Sequence, residues 1–303
     1  MVNAVLPVFF VIFVGWLFGR GKREVAGDKL LNDYALYVAL PALLFVAIAR
    51  ADRGDLGQWA FVFASLGGIA VAWVVGLAIA RRAGVAAPSS SVIAMGACYG
   101  TTGYLGVPVL IAAYGSEAAL PAALATVIHN IPAIAAVILR HEMADATWRT
   151  GMRRAGRVVG RNPLLLAVLA GLAVALADVA LPPVVMRGAE FVGLSAGPVA
   201  LFALGLGLSR LQSGGEGAAW VGRIVLVKLL LQPLVTLALA WLLGLRDGVW
   251  LAVAVVMAAQ PVGAGVYVFA RQYGVAPERV ALAIVWSLLA ALGMLPLWLR
   301  GMG

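Results

Sequence analysis

The sequence predicts an all-α integral membrane protein with ten transmembrane helices, arranged as two inverted five-helix repeats. Three observations lead to this fold class: an apolar composition, apolar runs at regular intervals, and matching positions in the two halves. The chain has 303 residues, of which 63% are hydrophobic and 12% charged, and its mean hydropathy is +1.01. Since soluble domains carry about 25% charged residues, this composition indicates a protein embedded in a membrane. The single cysteine, Cys98, excludes an intramolecular disulfide.

Apolar runs of about 20 residues, the length that crosses a bilayer, divide the chain into ten predicted spans. These spans lie near residues 2–19, 30–49, 58–80, 89–113, 117–139, 162–181, 190–209, 219–244, 248–270 and 278–299. A polar and basic stretch at 141–161 separates a first five-span repeat at 1–140 from a second at 162–303. We expect this stretch to form a loop between the repeats.

The positive charges predict the orientation of the chain. If the N-terminus lies outside, sixteen of the 22 lysines and arginines fall on the cytoplasmic side and five on the opposite side, and Lys228 falls within a span. This asymmetry is the positive-inside pattern. We therefore expect a multi-pass protein of the cell (inner) membrane, with both termini outside and the basic central loop in the cytoplasm. Because the positive charges are dispersed between apolar runs, no nucleic-acid partner is expected.

The two halves share positions at nearly constant offsets. Offsets of 156, 157 and 159 residues relate Pro7 to Pro163, Pro41 to Pro198, and Tyr114 to Tyr273. Each half has an odd number of predicted spans, so the two copies enter the membrane with opposite orientations. Inverted repeats of this kind are typical of secondary transporters.

The predicted fourth and ninth spans cannot be continuous helices. Glycines and Pro108 interrupt the stretch from 89 to 115, and the stretch from 248 to 274 breaks at Gln260-Pro261. Broken backbone at membrane depth occurs only where it is buried in protein or lines a wet cavity. A pair of broken spans therefore indicates a binding site, although a proline kink that serves packing alone is the alternative. The polar side chains expected to bind a solute there are Thr101, Thr102, Tyr104 and Gln260.

Other polar groups within the predicted spans have two interpretations each. Lys228 and Gln232 stand at helical spacing, and the lysine either extends to the membrane surface or faces the bundle and attracts an anion. Asp33 is either a solvated carboxylate at a helix start or part of a proton or ion site. Asn130 and its neighbour His129 either hold helices together or contribute to binding and proton transfer.

At these residues the chain resembles the auxin efflux carrier family, whose bacterial members include malonate and malate carriers and whose plant members include PIN-type auxin exporters. The resemblance covers essentially the whole chain. It rests on six segments, which read YVALPALLF, TTGYLGVPVL, GPVALFALGLGL, KLLLQPLV, AAQPVGAGVYVFARQYG and GMLPLW.

The resemblance implies a fold like that of sodium/proton antiporters and bile-acid symporters, in which the fourth and ninth spans cross as unwound helices at mid-membrane. It implies a scaffold of spans 1, 2, 6 and 7, which could also form a homodimer, and a transport domain of spans 3–5 and 8–10 that moves as an elevator. Thr101, Gly106 and Pro108 match one crossover, and Gln260 and Pro261 the other; Lys228 and Asn130 match family positions in the eighth and fifth spans. The family often has asparagine where this chain has Thr101.

The expected function is secondary active transport of a small organic anion, a mono- or dicarboxylate. Coupling to H⁺ or Na⁺ is left open at this point, and Lys228, Gln232 and Asp33 are the residues expected to carry coupling or to pair charges. The alternatives are an ion-coupled carrier of a neutral or amphipathic solute and a receptor that uses the same pocket without transport. No motif of an intramembrane enzyme, of nucleotide binding or of a metal site is found, so no enzyme, cofactor or metal is expected.

Overall fold

The computed structural model describes residues 2–21, 27–51, 57–145, 148–209, 219–246 and 248–302. Within these ranges the chain is helical, and its extended segments form one isolated antiparallel bridge and no strand. The α-helices are α1 Val2–Gly21, α2 Gly27–Tyr34, α3 Leu40–Ala49, α4 Trp59–Arg82, α5 Ser90–Cys98, α6 Val107–Tyr114, α7 Ala119–Asp145, α8 Trp148–Gly160, α9 Pro163–Ala177, α10 Pro183–Leu194, α11 Ala196–Leu208, α12 Ala219–Leu226, α13 Gln232–Leu242, α14 Gly248–Ala258, α15 Gly265–Tyr273 and α16 Pro277–Gly301.

Six helical segments in the described part of the chain are long and apolar enough to cross a membrane. They are Leu30–Ala49, Trp59–Arg82, Thr102–His141, Pro183–Leu208, Trp220–Leu242 and Pro277–Gly301. Three shorter apolar helices accompany them, at Leu6–Gly21, Pro163–Ala177 and Gly248–Ala258. The predicted all-α membrane class is thereby confirmed. Four of the positive charges counted for the predicted orientation lie outside the described residues, namely Lys22, Arg23, Arg53 and Arg210.

A π-helical turn precedes each of three prolines. π-helical turns lie at Ala35–Ala39, Thr102–Gly106 and Val227–Leu231. The second residue after each turn is a proline, namely Pro41, Pro108 or Pro233. A proline has no N–H and its ring clashes with the carbonyl four residues earlier, so the wider turn relieves the clash. The carbonyl that Pro233 leaves without its helical donor belongs to Leu229, and it accepts a hydrogen bond of 3.2 Å from Trp298 Nε1.

The chain forms two compact units, and the first comprises residues 1–59, 103–127 and 161–211. Its core lies around Leu40, Leu44 and Ile48 of α3, with partners from α7, α9 and α11. Close backbone approach joins α1 to α11: a Cβ at Gly15 would overlap the Phe202 carbonyl, and a Cβ at Gly205 would overlap the Ile12 carbonyl. Small residues are needed where two membrane helices approach so closely.

Polar contacts within the first unit link segments far apart in sequence. Tyr34 Oη lies 2.8 Å from Ser195 Oγ. The Arg50 guanidinium at the end of α3 donates to both oxygens of the Glu190 carboxylate, at 3.1 and 2.7 Å. The hydrogen bond to Glu190 raises the pKa of Arg50 above its ordinary value. Because both side chains are about half exposed, water screens the attraction and this pair contributes little to stability.

The second unit comprises residues 60–102, 128–160 and 212–303. One hydrophobic cluster in it joins Ala64 of α4, Ala240 of α13 and Val255 of α14. The ring of Phe61 meets that of Trp250 edge to face, with centroids 5.1 Å apart, a favourable geometry for two aromatic rings.

The basic stretch at 141–161, expected as a loop, is mostly helical. Helix α7 continues to Asp145, and α8 occupies Trp148–Gly160 before Asn162 begins α9. The Asn162 side chain accepts hydrogen bonds from the backbone N–H groups of Leu164 and Leu165, at 2.9 and 3.2 Å. The loop prediction counted the charges in this stretch and overlooked their helical period.

Candidate functional site

Two helices of the second unit stop abruptly, and each is followed by extended backbone. Helix α5 ends at Cys98, and Tyr99 after it is extended, with φ −87° and ψ 117°. Helix α14 ends at Ala258, and helical structure resumes only at Gly265. The glycines and prolines at these places remove side-chain bulk and backbone donors, which explains why the helices do not continue.

The two extended segments pair with each other. Gly100 and Val262 form an antiparallel bridge, flanked by hydrogen bonds of 3.0 Å from Thr101 N to the Pro261 carbonyl and from Gly263 N to the Tyr99 carbonyl. The Thr101 hydroxyl donates to the same Pro261 carbonyl at 3.0 Å. Each break thereby satisfies backbone groups of the other, as the absence of water at membrane depth requires.

Glycine is needed at this bridge because side chains press on it. A Cβ at Gly100 would lie 3.0 Å from Gln260 Cβ and 3.3 Å from Lys228 Nζ. A Cβ at Gly263 would lie 2.5 Å from the Tyr99 ring. These distances are shorter than ordinary carbon contacts, so a side chain at either position would force its neighbours to move.

Lys228 is fully buried and donates from Nζ to the carbonyl of Ala258, the last residue of α14. It therefore does not extend to the membrane surface, and the first of its two interpretations is wrong. Its acceptor is a main-chain carbonyl at a helix C-terminus, where the helix dipole favours a positive charge. An ammonium has three donors, so two N–H groups of Lys228 remain beyond this bond.

Gln232, one helical turn after Lys228, serves the other broken helix. Its Nε2 donates to the carbonyl of Cys98, the last residue of α5, at 3.3 Å, and lies 3.5 Å from His129 Nδ1. The π-helical turn before Pro233 carries the lysine, and Gln232 follows it directly. One helix thus supplies a donor to the C-terminal carbonyl of each broken helix.

Thr102, Asn130 and Gln260 complete the polar surroundings of the bridge. Thr102 Oγ1 donates to Asn130 Oδ1 at 3.4 Å. Gln260 is fully buried, and its Nε2 donates to the Val256 carbonyl at 3.0 Å. The predicted residues Thr101, Thr102, Asn130, Lys228, Gln232, Gln260 and Pro261 all belong to the second unit.

Four buried polar atoms around these residues have no hydrogen-bond partner among the described residues. They are His129 Nε2, Gln232 Oε1, Thr236 Oγ1 and Gln260 Oε1. Leaving such an atom unpaired costs about 1–3 kcal/mol. Together with the remaining donors of Lys228, they give the unit both donors and acceptors for a small polar solute. The described residues hold no group of three or more histidines, cysteines or acidic residues that could bind a metal ion.

Four predicted site residues belong to the first unit instead. Tyr104 is half-buried against the hydrophobic core around Leu40. Gly106 is buried at the end of a π-helical turn, and Pro108 lies against Gly197 of α11, where a Cβ would meet it at 3.3 Å. Asp33 is half-buried near the end of α2. Packing thus accounts for Tyr104 and Pro108 within this unit.

Sequence reasoning missed two side chains that support the bridge, Tyr99 and Ser287, and one that supports the helix carrying Lys228, Trp298. The Tyr99 ring covers Gly263, and a Cβ at Gly265 would lie 2.8 Å from the Tyr99 hydroxyl. Ser287 Oγ accepts from Val262 N and donates to the Ile284 carbonyl, both at 2.9 Å. Trp298 Nε1 donates to the carbonyl of Leu229, four residues before Pro233. The signal for Ser287 was present, because it is the one hydroxyl in the apolar run of α16.

Comparisons with known proteins agree with this picture. A family model described as "Membrane transport protein" matches residues 1–149 and 153–299. The "Putative malonate transporter" of Rhizobium meliloti (strain 1021) is 32% identical over 292 residues, which cover 93% of this chain and 89% of that protein. "Auxin efflux carrier component 3a" of Oryza sativa subsp. japonica is 34% identical over 139 residues, or 44% of this chain and 22% of that protein. An "Uncharacterized transporter" of Methanothermobacter thermautotrophicus is 25% identical over 308 residues, or 98% of this chain and 96% of that protein.

These matches confirm the resemblance found in the sequence and the expectation of a transporter rather than an enzyme. The family model and the bacterial relative both extend over most of the chain. The apolar helices and the paired helix breaks are what a membrane-embedded carrier requires. The chain belongs to the auxin efflux carrier family of membrane transport proteins.

Proposed function

We propose that this chain is a secondary active transporter that moves a small organic anion, a mono- or dicarboxylate, by elevator-type alternating access. The observation that carries the proposal is the fully buried Lys228 beside the bridge between Gly100 and Val262. A buried ammonium with donors to spare favours a carboxylate over a neutral solute. The relatives named for malonate and auxin transport point to the same class of substrate.

The arrangement of the breaks supports two inverted repeats of five helices. The first broken helices of the two halves end at Cys98 and Ala258, 160 residues apart, and the second ones at Tyr114 and Tyr273, 159 residues apart. Those offsets agree with the ones found in the sequence. We therefore keep the ten-span topology, with termini outside the cell membrane and the segment at 141–161 in the cytoplasm.

Burial of the binding groups supports alternating access. Lys228, Gln232 and Gln260 are fully buried, so a solute reaches them only after neighbouring segments move. The chain also forms two units with separate cores, which suits a mechanism with a scaffold and a mobile transport domain. A homodimer through the scaffold helices belongs to the same proposal.

The same groups support a proposal for the coupling ion. Two titratable side chains next to Gln232 and the bridge are His129 and Lys228. Among the described residues, no acidic side chain is hydrogen-bonded to either of them. A dedicated sodium site with carboxylate ligands is therefore disfavoured. We propose H⁺ as the coupling ion, with Na⁺ as the alternative.

Uptake into proteoliposomes tests the proposal. Labelled malonate, malate and an indole carboxylate are offered under an imposed proton gradient, a sodium gradient or neither, and a Pro261→Ala variant serves as a control after its folding has been checked. We expect saturable uptake of at least one acid, stimulated by the proton gradient and reduced in the variant. Absence of uptake of every acid under every gradient would refute the anion carrier and favour a receptor. Uptake of a neutral solute alone would favour the other transport alternative.

A further inference from the structure

Helix α8 has two faces of opposite character. At 3.6 residues per turn, Arg149, Arg153 and Arg157 recur on successive turns and form a basic face. Met152, Val158 and Val159 lie about 100–140° around the helix from the centre of that face at Arg153. The three arginines are exposed. Between residues 148 and 161 the sequence has five arginines and no acidic residue. The transport mechanism proposed above uses none of these residues.

Apolar side chains of α8 are exposed to solvent in the isolated chain. Met152 is 44% exposed and Val158 is 43% exposed. On a soluble helix such side chains normally face a core, and a helix that combines an apolar face with an arginine-rich face is typical of the membrane interface.

The connections of α8 keep it near the bilayer. The apolar segment before it ends at His141 in α7, which continues to Asp145, and the next apolar helix begins at Pro163. Two residues separate α7 from α8, and two separate α8 from α9. With two intervening residues, adjoining helix ends lie about 11 Å apart at most, so neither end of α8 can move far from a membrane helix.

We propose that α8 lies in the plane of the membrane interface and binds the headgroups of anionic phospholipids. Met152, Val158 and Val159 enter the boundary between headgroups and acyl chains, and the arginines bind lipid phosphates. Guanidinium groups suit this role because they bind phosphate oxygens with two parallel hydrogen bonds. An RNA or an acidic peptide would match the basic face but not the apolar one, and the short connections leave little room for a large partner.

Hydrogen exchange of the full-length protein in nanodiscs tests the proposal. The exchange of α8 backbone amides is compared in phosphatidylcholine alone and in phosphatidylcholine mixed with phosphatidylglycerol. We expect exchange about threefold slower or more with the anionic lipid, and we expect high salt to reduce the difference because it screens surface charge. The variant R149Q/R153Q/R157Q should lose the difference between the two lipids.

A matched control removes the same number of exposed arginines elsewhere. Arg81, Arg82 and Arg223 are exposed and lie outside α8, so R81Q/R82Q/R223Q should keep the protection of α8 by anionic lipid. A further variant, M152Q/V158Q, should exchange faster in both lipids because the apolar face is weakened.

Three results would overturn the proposal. The first is equal exchange of α8 in the two lipids, and the second is equal loss of protection in the two arginine variants. The third is that inorganic phosphate, added to neutral nanodiscs, protects α8 as much as the anionic lipid does. That result would mean that α8 binds free phosphate and not a lipid headgroup. Transport activity is not part of the readout, so failure here leaves the proposed function to its own test.

Discussion

Replacement of Gly100 by alanine tests whether the contact between the helix breaks is as tight as the structure indicates. The new Cβ would lie 3.0 Å from Gln260 Cβ, 3.2 Å from Lys228 Cε and 3.3 Å from Lys228 Nζ. Carbon atoms in contact normally lie about 3.5–4.0 Å apart, so several neighbours must move by a few tenths of an ångström at once. Overpacking of this kind costs about 1–3 kcal/mol.

Gly96 provides the matched control, four residues earlier in the same unit. A Cβ there would lie 3.4 Å from Ile224 Cγ2 and 3.8 Å from Val266 Cγ1, which are ordinary contacts. Because Gly96 lies within α5, alanine should stabilise the helix by about 0.5–1 kcal/mol. We therefore expect the two alanine variants to change stability in opposite directions.

The assay is thermal unfolding of the purified variants in detergent, followed by uptake in proteoliposomes. Gly100→Ala should unfold at a lower temperature than the wild type and transport poorly, because Lys228 and Gln260 are displaced. Gly96→Ala should unfold at the same temperature or higher and transport normally. Equal unfolding temperatures for the two variants would refute the tight contact at Gly100.

Two further predictions concern hydrogen bonds near the site, one at the π-helical turn that carries Lys228 and one at the bridge. Trp298→Phe should destabilise the protein by about 1–3 kcal/mol, since it leaves the buried Leu229 carbonyl unpaired. Thermal unfolding should show a smaller loss in a Pro233→Ala background, where residue 233 regains a backbone N–H. Equal losses of stability in both backgrounds would contradict the assigned hydrogen bond. Thr101→Val should lower the free energy of unfolding by about 0.5–1.5 kcal/mol because it removes the hydrogen bond from the hydroxyl to the Pro261 carbonyl. Thr101→Ser keeps a hydroxyl and should cost little stability. Unfolding curves that do not separate the two variants would show that this hydrogen bond contributes nothing.

The helix breaks could be predicted because their causes are local. Glycines and Gln260-Pro261 reduce helix stability wherever they stand, so the sequence alone indicated two interrupted segments. The expectation that Pro108 interrupts the first segment is wrong, because the break lies at residues 99–101 and the chain is helical from Thr102 through Pro108, where a π-helical turn accommodates the proline. The pairing of Gly100 with Val262 depends on residues about 160 positions apart, and no local pattern encodes it. For the same reason the covering role of Tyr99 was not foreseen.

Lys228 shows how far a helical stripe can be interpreted. Its spacing from Gln232 placed both side chains on one face, but it left open whether the lysine reaches the surface. The structure resolves this through distant partners, since Lys228 bonds the end of α14 and Gln232 bonds the end of α5. These carbonyls can accept side-chain hydrogen bonds because they lie at helix ends. Which helix ends lie next to Lys228 and Gln232 depends on the folded chain and not on local sequence.

The prediction of a loop at 141–161 was wrong for a different reason. Its polarity and charge suggested a loop, although Arg149, Arg153 and Arg157 already had a helical period. Because an interfacial helix is polar on one side only, average polarity hides it and periodicity reveals it.

In the proposed function, the buried amine of Lys228 beside the bridge between Gly100 and Val262 recognises the transported anion. Malonate counterflow in proteoliposomes, with wild type, Lys228→Met and Arg223→Gln compared, tests it most directly. Arg223 is an exposed charge five residues earlier on α12, so the two variants each remove one positive charge but only one alters the site. With folding verified for each, we expect Lys228→Met to lose at least about tenfold in initial rate, equivalent to about 1.4 kcal/mol, and Arg223→Gln to match the wild type. Equal counterflow in all three proteins would contradict the account.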